Sequence, residues 1–480
     1  MYPDTKLLID GQWRTSSLDE RSEVIDPATN EKISTVERAG SRDLIDAVSA
    51  AIRGFELWRN LSALERSEVL RRGAGILRER IDETAKILTI EQGKPLREAM
   101  AEINGAAEHL EWAAEEGRRA YGRVIPSRRP DVRQLVLREP VGVVAAFSPW
   151  NFPVTIAAAK VGPALAAGCS VILKPSEETP AAPAALGRAL QDAGLPPGVL
   201  NIVYGDSRMI SKFLLGQKTI RKLSFTGSTR VGRELAAVAA HQLKLATMEL
   251  GGHAPVIVFE DANWKRAADI LVERKYRNAG QVCGSPTRFL VQASIFDQFV
   301  DRFISQAAEI KVGSGLDPET IMGPMANARG VFTMEKLVSD FVSSGAQVAL
   351  GGHRGNRPGF FFEPTVVVNA PVTSRGMNEE PFGPLAMINR FEDESEAIAE
   401  ANRLEYGLAA YAYTSSTRRS HLFTSKVEAG ILCINHEGRG LPETPNGGVK
   451  DSGHGAEGGI EGLDAFLTTK FVSEMAFNDT

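Results

Sequence analysis

Apolar residues recur at spacings of three and four over Asp43 to Trp58, Leu64 to Glu91 and Asn104 to Tyr121, with Arg and Glu between them. That period predicts helices through the N-terminal third. From Arg133 the texture changes. Short unbroken apolar runs, Val141 to Phe147, Ser170 to Leu173, Leu200 to Tyr204 and Lys222 to Phe225, alternate with helical segments such as Ala181 to Ala193 and Ser207 to Leu215. Runs without alternation suit strands buried on both faces, so the pattern predicts βαβ units and a parallel sheet. A second set follows: strands at Pro255 to Phe259, Arg288 to Gln292, Ala386 to Arg390, Ala409 to Tyr413 and Ile431 to Asn435, with helices at Ser294 to Ile310, Ser395 to Arg403 and Arg418 to Ala429. Two doubly wound α/β units in one chain predict a ligand cleft between them.

Composition narrows the partners rather than the fold. The 480 residues are 43% hydrophobic and 24% charged, the proportions of a globular protein. The formal net charge of −5 leaves no basic footprint for nucleic acid and no polybasic membrane patch. Val154 to Leu173 is mostly apolar, but Lys160, Pro163, Gly162 and Gly168 interrupt it, so it reads as buried strand and helix pieces and not as a membrane span. Three separated cysteines, Cys169, Cys283 and Cys433, make no disulfide framework, and Asp4 and Asp10 break up any secretion signal. A reducing, cytoplasmic setting is expected. The seven histidines show no i, i+4 pair and no cysteine cluster, so no metal site is expected.

Several short stretches carry candidate chemistry. Cys283 sits among polar, glycine-containing neighbours (Asn278-Ala279-Gly280-Gln281-Val282-Cys283-Gly284), a poor setting for a core thiol and a good one for a nucleophile. Cys169 and Cys433 lie in apolar runs and read as core. In Pro149-Trp150-Asn151-Phe152-Pro153, two prolines pin a loop at a strand's carboxyl end. There Asn151 either caps the next helix or donates to a developing oxyanion. Glu249, before Leu250-Gly251-Gly252, is either a turn residue or a partly buried general base. Glu380-Pro381-Phe382-Gly383-Pro384 is a stiff turn, or a loop offering a carboxylate to ribose and an aromatic face to a flat ring. Lys174 and Glu177 follow a buried strand, three residues apart. Phe225-Thr226-Gly227-Ser228-Thr229-Arg230-Val231-Gly232 turns from strand to helix, where a helix N-terminus can face a phosphate. The G-x-G-x-x-G match at Gly453 to Gly458 follows no predicted strand and is set aside as a dinucleotide fingerprint.

Together, and in this order, these motifs resemble the NAD(P)-dependent aldehyde dehydrogenase superfamily from Leu7 to about Val472. The resemblance implies Cys283 as the catalytic thiolate, Glu249 as the base that activates water, and Asn151 with the Cys283 backbone N–H as the oxyanion hole. It places Lys174 and Glu177 at the adenine ribose, Ser228 with Gly227 and Gly232 near the pyrophosphate, and Glu380, Phe382 and Trp150 toward the nicotinamide end. A carboxylate at Glu177 accepts from a free 2′-hydroxyl and repels a 2′-phosphate, so NAD is expected over NADP. A glutamate at position 249 argues for hydrolysis of the thioester and against transfer to coenzyme A.

Glu91-Gln92-Gly93-Lys94-Pro95-Leu96 and the stretch from Met248 to Pro255 are most similar to the succinate-semialdehyde dehydrogenase branch. In that branch two arginines and a serine clamp the distal carboxylate. Arg277 matches one arginine, Ala159 stands at the other, and Leu441 replaces the serine, with His436 and Arg439 as substitutes from the nearby loop. The family's Pro-Phe-Gly-Gly is Pro445-Asn446-Gly447-Gly448 here. A semialdehyde such as succinic semialdehyde is the expected substrate, with neutral hydrophobic or aromatic aldehydes as the alternative, and a non-catalytic NAD-binding protein as the remaining one. The implied fold is a Rossmann-like cofactor domain (1–121 and 141–251), an α/β catalytic domain (252–463) and a small β oligomerisation arm (122–140 and 464–480). That arm implies a homodimer or homotetramer.

Overall fold

The computed structural model describes residues 2–436, 438 and 440–475. Two large sheets organise them. The first has eight strands in the order Gln12–Arg14, Leu7–Ile9, Leu200–Ile202, Ser170–Lys174, Val143–Phe147, Ile220–Thr226, Leu245–Glu249, Gly453–His454. Its five middle strands are parallel. Val143–Phe147 and Ser170–Lys174 are buried along their whole length, which explains the unbroken apolar runs. Counted along the chain, the five run 3-2-1-4-5, so the order reverses between Val143–Phe147 and Ile220–Thr226. Loops leaving the carboxyl ends at that reversal are where an open α/β sheet binds its ligand.

The second sheet has seven strands: Gln347–Leu350, Thr365–Val368, Leu385–Phe391, Pro286–Gln292, Ala254–Val258, Ala409–Tyr413 and Ile431–Ile434. All pairings are parallel except the edge strand Gln347–Leu350. A separate core lies under each sheet. Leu467–Met475, Val132–Pro140 and Arg123–Ile125 form a three-stranded antiparallel sheet, from which Val124 and Phe471 project to solvent. No helix among the described residues is long and apolar enough to cross a membrane.

Two local differences from the sequence reading have physical causes. The helical stretch from Leu64 to Glu91 is two helices, Ala63–Glu79 and Ile81–Gln92, because Arg80 leaves helical geometry; the first is opened by a Ser62/Glu65 capping box. Residues 2–37 hold four strands: Leu7–Ile9 and Gln12–Arg14 are only three residues long, and Arg21–Asp26 and Glu31–Glu37 are largely polar with few buried positions, so neither pair shows an apolar run longer than three residues. As the sequence reading expects, the Val154 to Leu173 stretch is buried helix and strand, Pro153–Ala167 followed by Ser170–Lys174, with Gly168 in left-handed geometry between them. Late in the chain Gly453–His454 returns to pair with Leu245–Glu249, so the segment after Asn446 adds an edge to the first sheet.

Candidate active site

Glu249 closes its strand, in register with Thr226 on the neighbouring strand. The chain then runs through Leu250-Gly251-Gly252 to the second sheet, and at Gly252 it passes so close to Cys283 that a Cβ there would sit 2.5 Å from the Cys283 carbonyl oxygen. This glycine lets the base-bearing and thiol-bearing segments touch. Cys283 is half-buried, while Cys169 and Cys433 are buried in the cores, and burial pushes the Cys169 thiol up to about 11.

The segment before Cys283 is held in an unusual shape. Asn278, Ala279 and Gly280 are consecutively left-handed, with φ of 49°, 51° and 71°. Such geometry costs roughly 1–2 kcal/mol for each non-glycine residue, and at Gly280 a Cβ would collide with the Gly383 carbonyl. The surroundings fix it. Gln92 donates to Asn278 Oδ1 at 2.9 Å, the Asn278 N–H donates to Glu98 at 3.0 Å, and Gln281 bridges from the Asn278 carbonyl to the Ala326 N–H.

Asn151 is buried and does not cap the helix Pro153–Ala167. Glu102 does so instead, accepting from the Val154 N–H at 2.9 Å. Asn151 Nδ2 donates to the Gln281 carbonyl at 3.0 Å, two residues before Cys283, which leaves a second amide N–H on the same nitrogen. Its backbone carbonyl accepts from Lys94 Nζ at 2.7 Å and from Asn278 Nδ2 at 3.0 Å. Lys94 is fully buried, ion-paired to Glu102 at 2.5 Å and stacked 4.1 Å over the Phe152 ring. Burial pulls its pKa down while Glu102 holds it up.

A cavity of about 260 Å³ opens between the sheets. Its wall includes Cys283, Glu249, Thr226, Arg277, Ala159 and Leu441. Asn151 sits behind that wall, tied to it through Gln281. Asn446 donates from Nδ2 to Glu249 Oε2 at 3.1 Å, and Glu457 and buried Lys160 are paired beside it. Arg277 stacks 5.2 Å over Phe152. His436 is exposed and accepts from the Gly438 N–H; Arg439 lies outside the described residues.

Of the residues expected to hold a dinucleotide, Trp150, Lys174, Glu177, Gly227 and Ser228 lie at or just beyond the carboxyl ends of first-sheet strands, and Glu380 and Phe382 come from the loop before the second-sheet strand Leu385–Phe391. Lys174 Nζ meets Glu177 Oε1 at 2.7 Å and Ser207 Oγ at 2.8 Å, and Glu177 also accepts from the Gly205 N–H at 2.7 Å. Ser228 caps the helix Thr229–His241, the Gly227 N–H donates to the Glu249 carbonyl, and Gly232 lets that helix close on Leu250. Phe382 meets Trp150 edge-on, with centroids 5.5 Å apart. Glu380 accepts from the Gly252 N–H at 3.0 Å; burial pushes its carboxyl up to about 7 against the pull of that N–H and of Lys275. Hydroxyl acceptors, a helix N-terminus and an aromatic pair in this order fit the ribose, phosphate and flat-ring chemistry of a nicotinamide dinucleotide.

The model of the aldehyde dehydrogenase family matches residues 13–472. The chain belongs to the aldehyde dehydrogenase family. It is 45% identical over 476 residues to a putative 4-(hydroxymethyl)benzenesulfonate dehydrogenase of Comamonas testosteroni, covering 99% of each chain. It is 40% identical to the NADP(+) succinate-semialdehyde dehydrogenase of Escherichia coli, covering 97% of this chain and 96% of that one. The crystal structure of a succinate-semialdehyde dehydrogenase from Burkholderia pseudomallei superposes with a TM-score of 0.97 at 41% identity, covering 98% of both chains. This aldehyde dehydrogenase is thus an aldehyde-oxidising oxidoreductase with the family's fold.

Sequence reasoning missed three contributors to this aldehyde dehydrogenase's site: Lys94 behind Asn151, Asn446 on Glu249, and Arg274 on the cavity wall. A signal existed for Arg274, which precedes Arg277 by one helical turn.

Proposed function

We propose that this protein oxidises an aldehyde to its carboxylic acid with NAD, through a thioester on Cys283. The supporting observation is a single cavity bounded by both Cys283 and Glu249 at the carboxyl edge of the parallel sheet. The Cys283 thiolate adds to the aldehyde carbon, and the oxygen that becomes negative accepts from the Cys283 N–H and the second Asn151 amide N–H. Bound NAD, held by Lys174, Glu177, Ser228, Gly227, Glu380 and Phe382 with Trp150 and Gly232 shaping the groove, supplies the acceptor for the hydride. Cys283 retains the acyl group. Glu249 then takes a proton from water, the hydroxide attacks the acyl carbon, and the thiolate leaves. Cys283→Ala should abolish NADH formation. Glu249→Gln should give about one NADH per site and then stall; unchanged steady turnover in either variant overturns the reading.

NAD is favoured by Glu177, fixed by Lys174 and the Gly205 N–H where a 2′-phosphate would meet negative charge. Relatives are named for succinate and glutarate semialdehydes and for a benzenesulfonate, each with an acid group. Arg277 on the wall supports an acidic aldehyde for this chain too. Ala159 and Leu441 on the same wall favour the second reading, a neutral hydrophobic aldehyde. Comparing kcat/KM for succinic semialdehyde and butanal separates them. The three-stranded arm supports assembly as a homodimer or homotetramer, and a monomer in sedimentation would contradict it.

A further inference from the structure

We propose that Gln92 and Asn278 are positioning residues for the oxyanion hole, two buried amides in series that hold Asn151 against the thiol-bearing segment. This rests on the reaction proposed above.

Asn151 depends on such support. Among the described residues its side chain makes one hydrogen bond, from Nδ2 to the Gln281 carbonyl, and its Oδ1 is buried without a partner. The place of its second amide N–H is therefore set by the backbone that carries it. That backbone is gripped at the Asn151 carbonyl, which accepts from Lys94 Nζ at 2.7 Å and from Asn278 Nδ2 at 3.0 Å. Asn278 Nδ2 also donates to the Gln281 carbonyl at 3.4 Å, the acceptor that Asn151 itself uses. One amide thus touches both the loop that carries Asn151 and the segment that carries the Cys283 N–H. Asn278 is 2% exposed and left-handed, a geometry that asparagine tolerates better than most residues.

A primary amide fits either way round, and only one way serves here. With Oδ1 in the place of Nδ2, Asn278 would set an acceptor against two carbonyl oxygens. Gln92 fixes the choice. It is fully buried, and its Nε2 donates to Asn278 Oδ1 at 2.9 Å. Its own Oε1 accepts from the Lys94 N–H at 3.0 Å, a group that can only donate. The series begins on an obligate donor and ends on obligate acceptors, so each amide has one favourable orientation. Gln92-Gly93-Lys94 therefore anchors the Asn151 carbonyl twice, directly through Lys94 and from Gln92 through Asn278. Neither Gln92 nor Asn278 lines the cavity, so both act through Asn151 and Gln281.

This role separates two reactions of the same thiol. A displaced Asn151 amide weakens the bond to an oxygen that is becoming negative, and so slows NADH formation. Alkylation of Cys283 by iodoacetamide forms a sulfur–carbon bond as iodide leaves a CH₂ group with the bonding electrons. No oxyanion develops, so that rate reports only the thiolate and its accessibility.

The test measures both rates on the full chain with NAD in wild type, Gln92→Met, Asn278→Gly and the double variant. NADH formation is followed in single turnover, with whichever of succinic semialdehyde, butanal and benzaldehyde wild type oxidises fastest. Glycine suits the left-handed backbone, and both carbonyls keep their other donor, so Asn278→Gly removes the amide alone. Asn278→Gly should slow NADH formation at least ~10-fold and Gln92→Met roughly 3-fold or more, while alkylation stays within about 2-fold of wild type. Because Gln92 acts through Asn278, the double variant should be no slower than Asn278→Gly. Unchanged NADH formation in Asn278→Gly, alkylation slowed in proportion to it, or losses that multiply in the double variant each overturn the assignment. Should Asn278→Gly not fold, Gln92→Met decides: slower NADH formation with unchanged alkylation upholds the assignment, and any other pairing overturns it. A wild type that makes no NADH from any of the three aldehydes overturns the reaction itself, whereas an active wild type matched by its variants overturns only the positioning role.

Discussion

Asn446 Nδ2 donates to Glu249 Oε2 across 3.1 Å, joining residues 197 apart in the chain. Asn446 is itself fixed by an antiparallel bridge to Glu457, so the amide is presented from a braced loop. A hydrogen bond to a carboxylate orients it and stabilises its ionised form. Replacing Asn446 by Leu keeps the volume and removes the donor. The expected outcome is a fall of roughly tenfold in steady-state kcat, the scale of one charged hydrogen bond, with the first turnover little changed. Rapid-mixing measurements should therefore show a burst of NADH in Asn446→Leu that wild type lacks or shows weakly. Equal slowing of burst and steady phases would place Asn446 elsewhere in the cycle.

The proposed preference for NAD rests on Glu177. Its carboxylate is pinned by Lys174 and the Gly205 N–H, and its side chain is a quarter exposed, so its repulsion of a 2′-phosphate is partly screened. Glu177→Gln keeps the shape and removes the charge. The ratio of kcat/KM for NADP over NAD should rise at least ~10-fold, corresponding to about 1.4 kcal/mol. An unchanged ratio, or a wild type that already prefers NADP, would reject the role given to this carboxylate.

The sequence made the sheets legible because their strands are buried on both faces. Ala254–Val258 and Ala409–Tyr413 read as apolar runs, and both are strands buried throughout. Two elements went unread: the helix Ala328–Ser343, whose apolar stripe is blurred by exposed Phe332 and Val342, and the four-residue strand Thr365–Val368, although it too is buried throughout. In the site, Cys283 and Glu249 stand out because glycines surround them, and those glycines serve close approach, as at Gly252. Lys94 and Asn446 did not stand out, because each acts through a partner far along the chain. Spacing along a sequence reports helix faces and turns, but not which buried ammonium meets which carbonyl.

Lys94 gives a stability prediction with a catalytic consequence. Its ammonium joins Glu102, which caps the helix after Asn151, to the Asn151 carbonyl. Lys94→Met leaves a buried carboxylate without its counter-charge, a change on the order of 3–5 kcal/mol. Thermal unfolding should begin several degrees lower, and kcat should fall because Asn151 loses one of its backbone anchors. In the double variant Lys94→Met/Glu102→Gln part of the thermal loss should return, since the uncompensated charge is gone. Identical melting of Lys94→Met and wild type would mean that this ion pair adds nothing to the fold.

His109 sets the expected response to acid. Burial holds its imidazole at about 4, below its ordinary 6.5, so between those values the unfolded chain binds a proton that the folded chain refuses. The stability it allows is complete above about pH 6.5 and is lost as pH falls toward 4. Glu380 has the opposite sign: burial raises it to about 7, so its contribution is fullest below its ordinary 4.5 and declines as pH climbs to 7. The two therefore oppose each other between 4.5 and 6.5, and removing one exposes the other. In His109→Gln the fall in Tm between pH 6.5 and pH 4.5 should be visibly shallower than in wild type, while the Tm change between pH 7.5 and pH 8.5, above both groups, should match. A variant that loses Tm with acid as steeply as wild type would show that His109 takes up its proton without unfolding.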